Sequence, residues 1–391
     1  MHVDLDAFFV EVCRQRDPAL RDVELLVVGG RRDSRGVVQS ASHGARRFGI
    51  RAGMPIAEAV RRCPQATFTR GEFRHYREAS RAVRDVLAGF APLVVMASLD
   101  EAYLDLSGTD LLHPVSLLPL AERIRDAIRE RTGLPCSIGI GPNRMVAKLA
   151  SDYAKPRGIV EVRAGWEAGF LAGLPLSALP GIGPRTAARY RELGLVDVWQ
   201  VQQMDEAALA RLVGDAAPAL RRRALGQGGT TLRPRSRPKS VSREMTFARD
   251  LRDLATLERV LLQLAGRVAG QLRDEGLAAR RVTLKLRHDD FRTVTRAATL
   301  ADATDLEHEL LGAARPLLAR AFAEARARGR GVRLLGIAAH ELTAAPAADL
   351  FEPERRRRLR ALARAVDEVR RRHGPDAVGP APLLPRRPPP A

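Results

Sequence analysis

The residues able to do chemistry in this chain are acidic pairs in two short stretches. Met96-Ala-Ser-Leu-Asp-Glu-Ala-Tyr-Leu-Asp-Leu106 holds Asp100 and Glu101, and His2-Val-Asp-Leu-Asp-Ala-Phe-Phe-Val10 holds Asp4 and Asp6. Carboxylate oxygens gathered at one point suit hard cations such as magnesium. Neighbouring strand residues point to opposite faces, so Asp100 and Glu101 cannot share an ion from mid-strand. At a hairpin tip they can. Pro92-Leu-Val-Val-Met-Ala97 leads in and the alternating Ala102-Tyr-Leu-Asp-Leu106 leads out, which predicts two short strands with Ser98-Leu-Asp-Glu101 at their junction. Residues 2–10 read as a further strand, and Asp4 beside Asp100 and Glu101 makes an oxygen-rich cluster. Singly, each pair reads better as a solvated strand end or turn. What favours a site is that both interrupt apolar segments suited to the middle of a sheet.

The elements around them follow in order. Val23–Val28 and Gly36–Ser40 read as strands, and Ala41-Ser-His-Gly-Ala-Arg-Arg-Phe48 opens a helix. His43 and Arg46 lie three apart on one face of it, near an amino end that favours anions. Residues 11–71 thus form a small basic insertion between sheet strands. A long amphipathic helix over 73–90 precedes the acidic hairpin. A helix over 117–131, a strand over 134–140 and a helix over 142–154 follow, with Lys155-Pro-Arg-Gly158 as a basic turn. Strands and helices alternating without a strict βαβ rhythm predict a mixed sheet with helices packed on it.

Leu179-Pro-Gly-Ile-Gly-Pro-Arg185 is the next informative stretch. Gly181 and Gly183 make a tight turn, Pro184 starts a helix, and the exposed backbone amides can hold a DNA phosphate without reading sequence. This is a helix-hairpin-helix pattern, with an ordinary Gly-Pro turn between core helices as the alternative. Residues 226–240, rich in Gly, Pro and Arg without periodicity, are a basic linker. Beyond it the order βαββαβ, over 240–342, predicts a small independent domain. Arg281, Lys285, Arg287, Arg292 and Arg296 are expected on one sheet face, as a phosphate-tracking surface or simply a solvated one. An Arg-rich helix to about His373 and a disordered Pro-rich end complete the chain.

Composition sets the outer limits. At 391 residues the chain exceeds one ordinary core, and about two to four domains are expected. Lys plus Arg number 65 against 46 Asp plus Glu, a formal +19, which points to a polyanionic partner, nucleic acid ahead of a membrane surface. Genome composition can explain the choice of Arg over Lys but not the net charge. Cys13, Cys63 and Cys136 show neither metal-ligand spacing nor a disulfide framework. Without a signal peptide or a membrane-length apolar run, the chain reads as soluble and cytoplasmic. At 4% aromatic residues, base stacking is not expected to dominate binding.

Four stretches together resemble the Y-family translesion DNA polymerases, in particular the DNA polymerase IV (DinB) branch. They are His2–Phe9, Ser98–Asp105, Ser137-Ile-Gly-Ile-Gly141 with Lys148-Leu-Ala-Ser-Asp-Tyr-Ala-Lys-Pro-Arg-Gly158, and Leu179–Gly183. The resemblance runs in register from residue 1 to about 342. It implies an α/β and α+β multidomain, right-hand polymerase. The mixed-sheet palm would span 1–10 and 72–160, small fingers 11–71, and a helical helix-hairpin-helix thumb 161–228. A basic linker at 229–238, a βαββαβ little finger at 239–342 and a tail at 343–391 would follow.

It further implies nucleotidyl transfer assisted by two Mg2+ ions, with Mn2+ able to substitute. Asp4, Asp100 and Glu101 would be the ligands, with the Leu5 carbonyl assisting, and Asp6 structural. Arg46 and Lys155 match positions that hold the incoming dNTP, with Phe8 and His43 beside them, and Phe9 matches the steric gate against a 2′-hydroxyl. Gly181, Gly183, Arg185 and the sheet cations Arg281, Lys285, Arg287, Arg292 and Arg296 would contact primer–template DNA. The chain departs from the family at His43, where tyrosine is usual, and at Cys13, where glutamate is usual. Gln39 lies in the stretch roofing the nascent base pair. A sliding clamp would be met through Leu350 and Phe351, although the usual glutamine is missing and the pair reads equally as tucked under the last helix. A monomer with no membrane partner and no proofreading exonuclease is expected. A catalytically silent DNA-binding scaffold is the alternative, but it would not need Asp4, Asp100 and Glu101. A nucleotidyl cyclase would not need the hairpin motif or the basic last domain.

Overall fold

The first strand, β1 (His2–Leu5), is short because Ala7 turns the chain, with φ 47 in the left-handed region. The next element, α1 (Phe8–Arg16), is a helix, which corrects the expectation of a strand through Val10. Phe-Phe-Val-Glu-Val is apolar enough for either form, and no glycine marks the turn. A computed structural model describes the chain apart from residues 110–111, 113–114, 234–236, 346–352, 375–376 and 382–391.

The insertion after α1 builds its own small sheet from β2 (Leu26–Val28), β3 (Ser40–Ala41) and β4 (Thr67–Thr69), in the order β3-β2-β4. With α2 (His43–Arg46) and α3 (Ile56–Arg62) it encloses Val27, Ile50 and Ile56, all fully buried. The strands are shorter than the apolar runs that predict them.

The main sheet follows α4 (Phe73–Leu87) and comprises β5 (Leu93–Met96), β6 (Glu101–Asp105), β7 (Cys136–Ile140) and β8 (Ile159–Glu161) in the order β5-β6-β1-β7-β8. The helices α5 (Leu118–Thr132) and α6 (Arg144–Tyr153) flank β7 in sequence. β1 is the central strand, antiparallel to both neighbours, and its register sets Asp4 opposite Glu101 on one side and Ser137 on the other. Alternation along β1 divides its side chains. Val3 and Leu5 join the core with Val83, Leu87, Ile124 and Ile138, whereas His2 meets Ser151 of α6 on the other face. Gly139 is what lets α6 lie so close. A Cβ there would fall 2.0 Å from the Ala147 carbonyl oxygen and 2.2 Å from the Ser151 nitrogen.

A cluster of short helices follows: α7 (Glu167–Ala172), α8 (Pro184–Glu192), α9 (Val198–Gln203), α10 (Glu206–Val213) and α11 (Ala217–Ala224). They pack around Leu171, Leu179, Val198, Leu209 and Leu220. The chain divides into two compact units, 1–236 and 237–391.

The second unit runs β9 (Ser240–Leu251), α12 (Leu254–Asp274), β10 (Leu277–His288), β11 (Thr293–Thr304), α13 (Glu307–Ala327) and β12 (Val332–Ala344). This is βαββαβ in an antiparallel sheet of order β11-β10-β12-β9. The added helix α14 (Glu354–His373) is tied to it by ion pairs. Arg273 of α12 grips Asp367 at 2.5 and 2.9 Å, and Arg356 reaches Glu309 at 3.1 Å. The expected disorder of the Pro-rich end and the expected clamp contacts Leu350 and Phe351 fall outside the described residues. Among the described residues no helix is long and apolar enough to cross a membrane.

Candidate active site

One cavity of about 410 Å³ in the first unit is bordered by Asp4, Leu5, Phe8, Phe9, His43, Arg46, Asp100, Glu101 and Lys155. Residues far apart in the chain meet there for local reasons. β1 carries Asp4 to the end of the central strand. The β5–β6 turn carries Asp100 and Glu101, and Ser98 braces it, its Oγ accepting from the Asp100 and Glu101 amides at 3.2 and 3.1 Å. The Ser98 hydroxyl also donates to the Asp100 carboxylate. The Leu5 amide donates to the Asp100 carbonyl at 2.9 Å, which stitches the acid-bearing segments together.

Two of the carboxylates, Asp4 and Glu101, are already engaged with ammonium groups. Lys155 donates from Nζ to Asp4 at 2.9 Å and to Asp152 at 2.8 Å, and Lys148 is paired with Glu101. Burial pushes Asp4 up to about 6 against the pull of Lys155, with Asp152 and Glu101 adding to the rise. Burial draws Lys148 and Lys155 down, but their carboxylate partners outweigh it and hold both above the ordinary lysine value.

Beneath them, burial and the nearby lysines push His2 down to about 3, so its ring is neutral. Ser151 Oγ lies 2.7 Å from His2 Nδ1 and gives its single proton to the Lys148 carbonyl. Nδ1 is therefore the protonated ring nitrogen and donates to Ser151. This leaves His2 Nε2 as a bare lone pair, buried without a partner.

Asp6 is turned aside, accepting from the Ser137 hydroxyl at 2.9 Å and the Arg157 amide at 2.9 Å. Phe8 borders the cavity, but its ring is buried in the core at 2% exposure, so its contribution is support. Phe9 stands edge-on to Tyr76 with centroids 4.4 Å apart, and Tyr76 Oη is 3.3 Å from Cys13 Sγ. Gly71 makes room for that phenol, since a Cβ there would overlap Tyr76 Oη at 1.5 Å. His43 and Arg46 project from α2, which Ser42 caps by accepting from the Ala45 amide. Arg46 is steadied by donating from Nε to the Ala41 carbonyl at 2.9 Å.

Ser98, Tyr76, Lys148 and Asp152 escaped the reading of the sequence as site residues. Lys148 and Asp152 sit within a motif that the sequence does display, seven and three residues before Lys155. Tyr76 is one aromatic among the apolar positions of an amphipathic helix, and nothing in the pattern distinguishes it.

The donor set fits a hard divalent ion, consisting wholly of carboxylate oxygens and a backbone carbonyl, with positive charge already required beside it. As they stand, Asp4 and Glu101 are turned to their lysines and Asp100 to Ser98, and no three-ligand cluster forms among the described residues.

Of the expected DNA contacts, Gly181 has φ 90 in a turn closed by Ile182 donating to Leu179 at 3.1 Å, and Gly183 precedes α8 with no side-chain cap. The first-turn amides of α8 are thereby left for another acceptor, and Arg185 is exposed. In the second unit Arg281, Lys285 and Arg287 alternate along the outer face of β10, with Arg292 in the turn after it. Arg296 is a correction. It sits beside the buried Leu284, on the helix-covered face, and donates to Glu324 of α13 at 2.9 Å. The hairpin turn between β10 and β11 sets a register that sequence spacing alone does not reveal.

The impB/mucB/samB family model matches residues 3–152, and that of its C-terminal domain matches 238–350. DNA polymerase IV of Caulobacter vibrioides is 38% identical over 379 residues, covering 96% of this chain and 92% of that protein. DNA polymerase IV of Halorhodospira halophila is 41% identical over 341 residues, 86% of this chain and 93% of that one. Among solved structures, a Y-family DNA polymerase chimera of Dbh and Dpo4 matches with TM-score 0.75 and 26% identity, over 87% of this chain and 98% of that one. An insertion ternary complex of Dbh DNA polymerase matches with TM-score 0.58 and 26% identity, over 87% and 97%. The chain belongs to the impB/mucB/samB family, the Y-family DNA polymerases of the polymerase IV kind. DNA-directed DNA synthesis across damaged template goes with that membership, and the silent-scaffold alternative is not favoured.

Proposed function

We propose that this cavity carries out two-metal nucleotidyl transfer from a dNTP to a primer 3′-hydroxyl, with Asp4, Asp100 and Glu101 holding the ions and the Leu5 carbonyl assisting. The observation that carries this is the single cavity joining those oxygens to Arg46, His43 and Lys155. When bound, Mg2+ or Mn2+ lowers the pKa of the attacking hydroxyl and neutralises the departing pyrophosphate. Arg46 and Lys155 bind the triphosphate, and His43 donates to it from the first turn of α2. Lys155 does so by giving up Asp4, so the acid is released to the metal as the lysine turns to phosphate. Phe9, backed by Tyr76, lies against the sugar and excludes a 2′-hydroxyl. The glycine turn before α8 and the outer face of β10 track the phosphates of primer–template DNA. The enzyme works as a monomer in the cytoplasm.

Primer extension by the purified chain with magnesium or manganese tests this. Deoxynucleotide addition that Asp100→Ala with Glu101→Ala abolishes is the expected result. Tight DNA binding with no extension in either metal would return the scaffold reading.

A further inference from the structure

The first unit has a second cavity of about 270 Å³, bordered by Arg125, Asp126 and Arg129 of α5, by Cys136 at the start of β7, and by Arg157. The two cavities are bordered by consecutive residues. Pro156 borders the first and Arg157 the second, and Asp6, on the rim of the first, accepts the Arg157 amide at 2.9 Å. Asp126 is the one carboxylate on the rim among the described residues, and it lies 3.1 Å from Arg125. Arg129 and Arg157 have no carboxylate within ion-pair distance among the described residues. Burial pushes the Cys136 thiol up to about 12, so the rim gains no second negative charge from it.

Guanidinium groups around a small cavity, in excess over acids, suit a phosphate-type oxyanion, which they grip in forked pairs. The neighbouring cavity, on the polymerase reading, is where such an anion is released. We propose that the second cavity is an oxyanion site that receives the pyrophosphate product as it leaves the metal site. Nothing in this role requires Arg129 or Arg157 to touch the reacting atoms.

The test is calorimetric titration of inorganic pyrophosphate, and separately inorganic phosphate, into the full chain in EDTA, where no catalysis is needed. One pyrophosphate is expected to bind, at least about tenfold tighter than phosphate. Arg129→Gln with Arg157→Asn should weaken it by at least about tenfold. Asparagine is chosen because Arg157 has φ 59, a conformation asparagine tolerates. Arg129→Lys with Arg157→Lys, which keeps the charge, should retain more binding, and Arg46→Ala should leave it in place. Absence of binding would overturn the proposal, as would loss that follows Arg46→Ala or indifference to the arginine pair. Phosphate binding as tight as pyrophosphate would overturn the assignment to the product. Because the readout is binding, failure here leaves the primer-extension result untouched.

Discussion

At the scale of single residues, the site is governed by who accompanies whom. Phe9 is held edge-on by Tyr76, whose phenol is anchored at Cys13 and admitted by Gly71. Phe9→Val should therefore raise the kcat/KM ratio of ribo- to deoxynucleotides by at least about tenfold, an effect of order 1.4 kcal/mol, with single-nucleotide insertion as the measurement. Tyr76→Phe, which keeps the ring and loses the anchor, should move the same ratio less.

Two arginines of the second unit part company on similar grounds. Arg287 lies on the outer sheet face and Arg296 is committed to Glu324. In a salt titration of DNA binding followed by anisotropy, Arg287→Ala should reduce the slope by about one, and Arg296→Ala should leave it nearly unchanged. The acids Asp4, Asp100 and Glu101 were legible because carboxylates seldom interrupt apolar strands without cause. The pairing of Lys148 with Glu101 and of Lys155 with Asp4 was not, because it depends on a close approach of α6 that Gly139 permits.

Among the elements, α14 has the most to reveal. Its sequence reads only as an Arg-rich helix, yet Asp367 and Arg273 have side chains only 12% and 8% exposed, and Arg360 is buried. Breaking one partner of such a pair strands a charge in low dielectric. Asp367→Ala should cost about 3 kcal/mol of the second unit's stability, at the low end of that class, read as a lower midpoint in urea unfolding followed by circular dichroism. The βαββαβ order of this unit was legible because its elements are long, although β9, β10 and β11 extend several residues beyond their apolar runs. The boundary between β1 and α1 was not, because a left-handed alanine leaves no mark in an apolar run.

For the whole molecule, the net charge of +19 and the division into two units at the basic linker are features of composition, and the sequence displays both. Register was hidden from it. Which cations of β10 and β11 share a face follows from hairpin geometry, as Arg296 shows.

The lysine–carboxylate pairs have a last consequence, for the order of assembly. Lys148 and Lys155 hold Glu101 and Asp4 in place as internal counter-ions, so the charge of these two acids is met without a metal. On the mechanism proposed above, the fold would stand without the ions, and they would come in with the triphosphate that draws Lys155 away. Stripping metal with EDTA should stop primer extension while shifting the thermal unfolding midpoint by less than about 2 °C, the scale of a contribution below 1 kcal/mol in a chain this size. A large drop on chelation would mean that the ions, and not the lysines, hold the acids together.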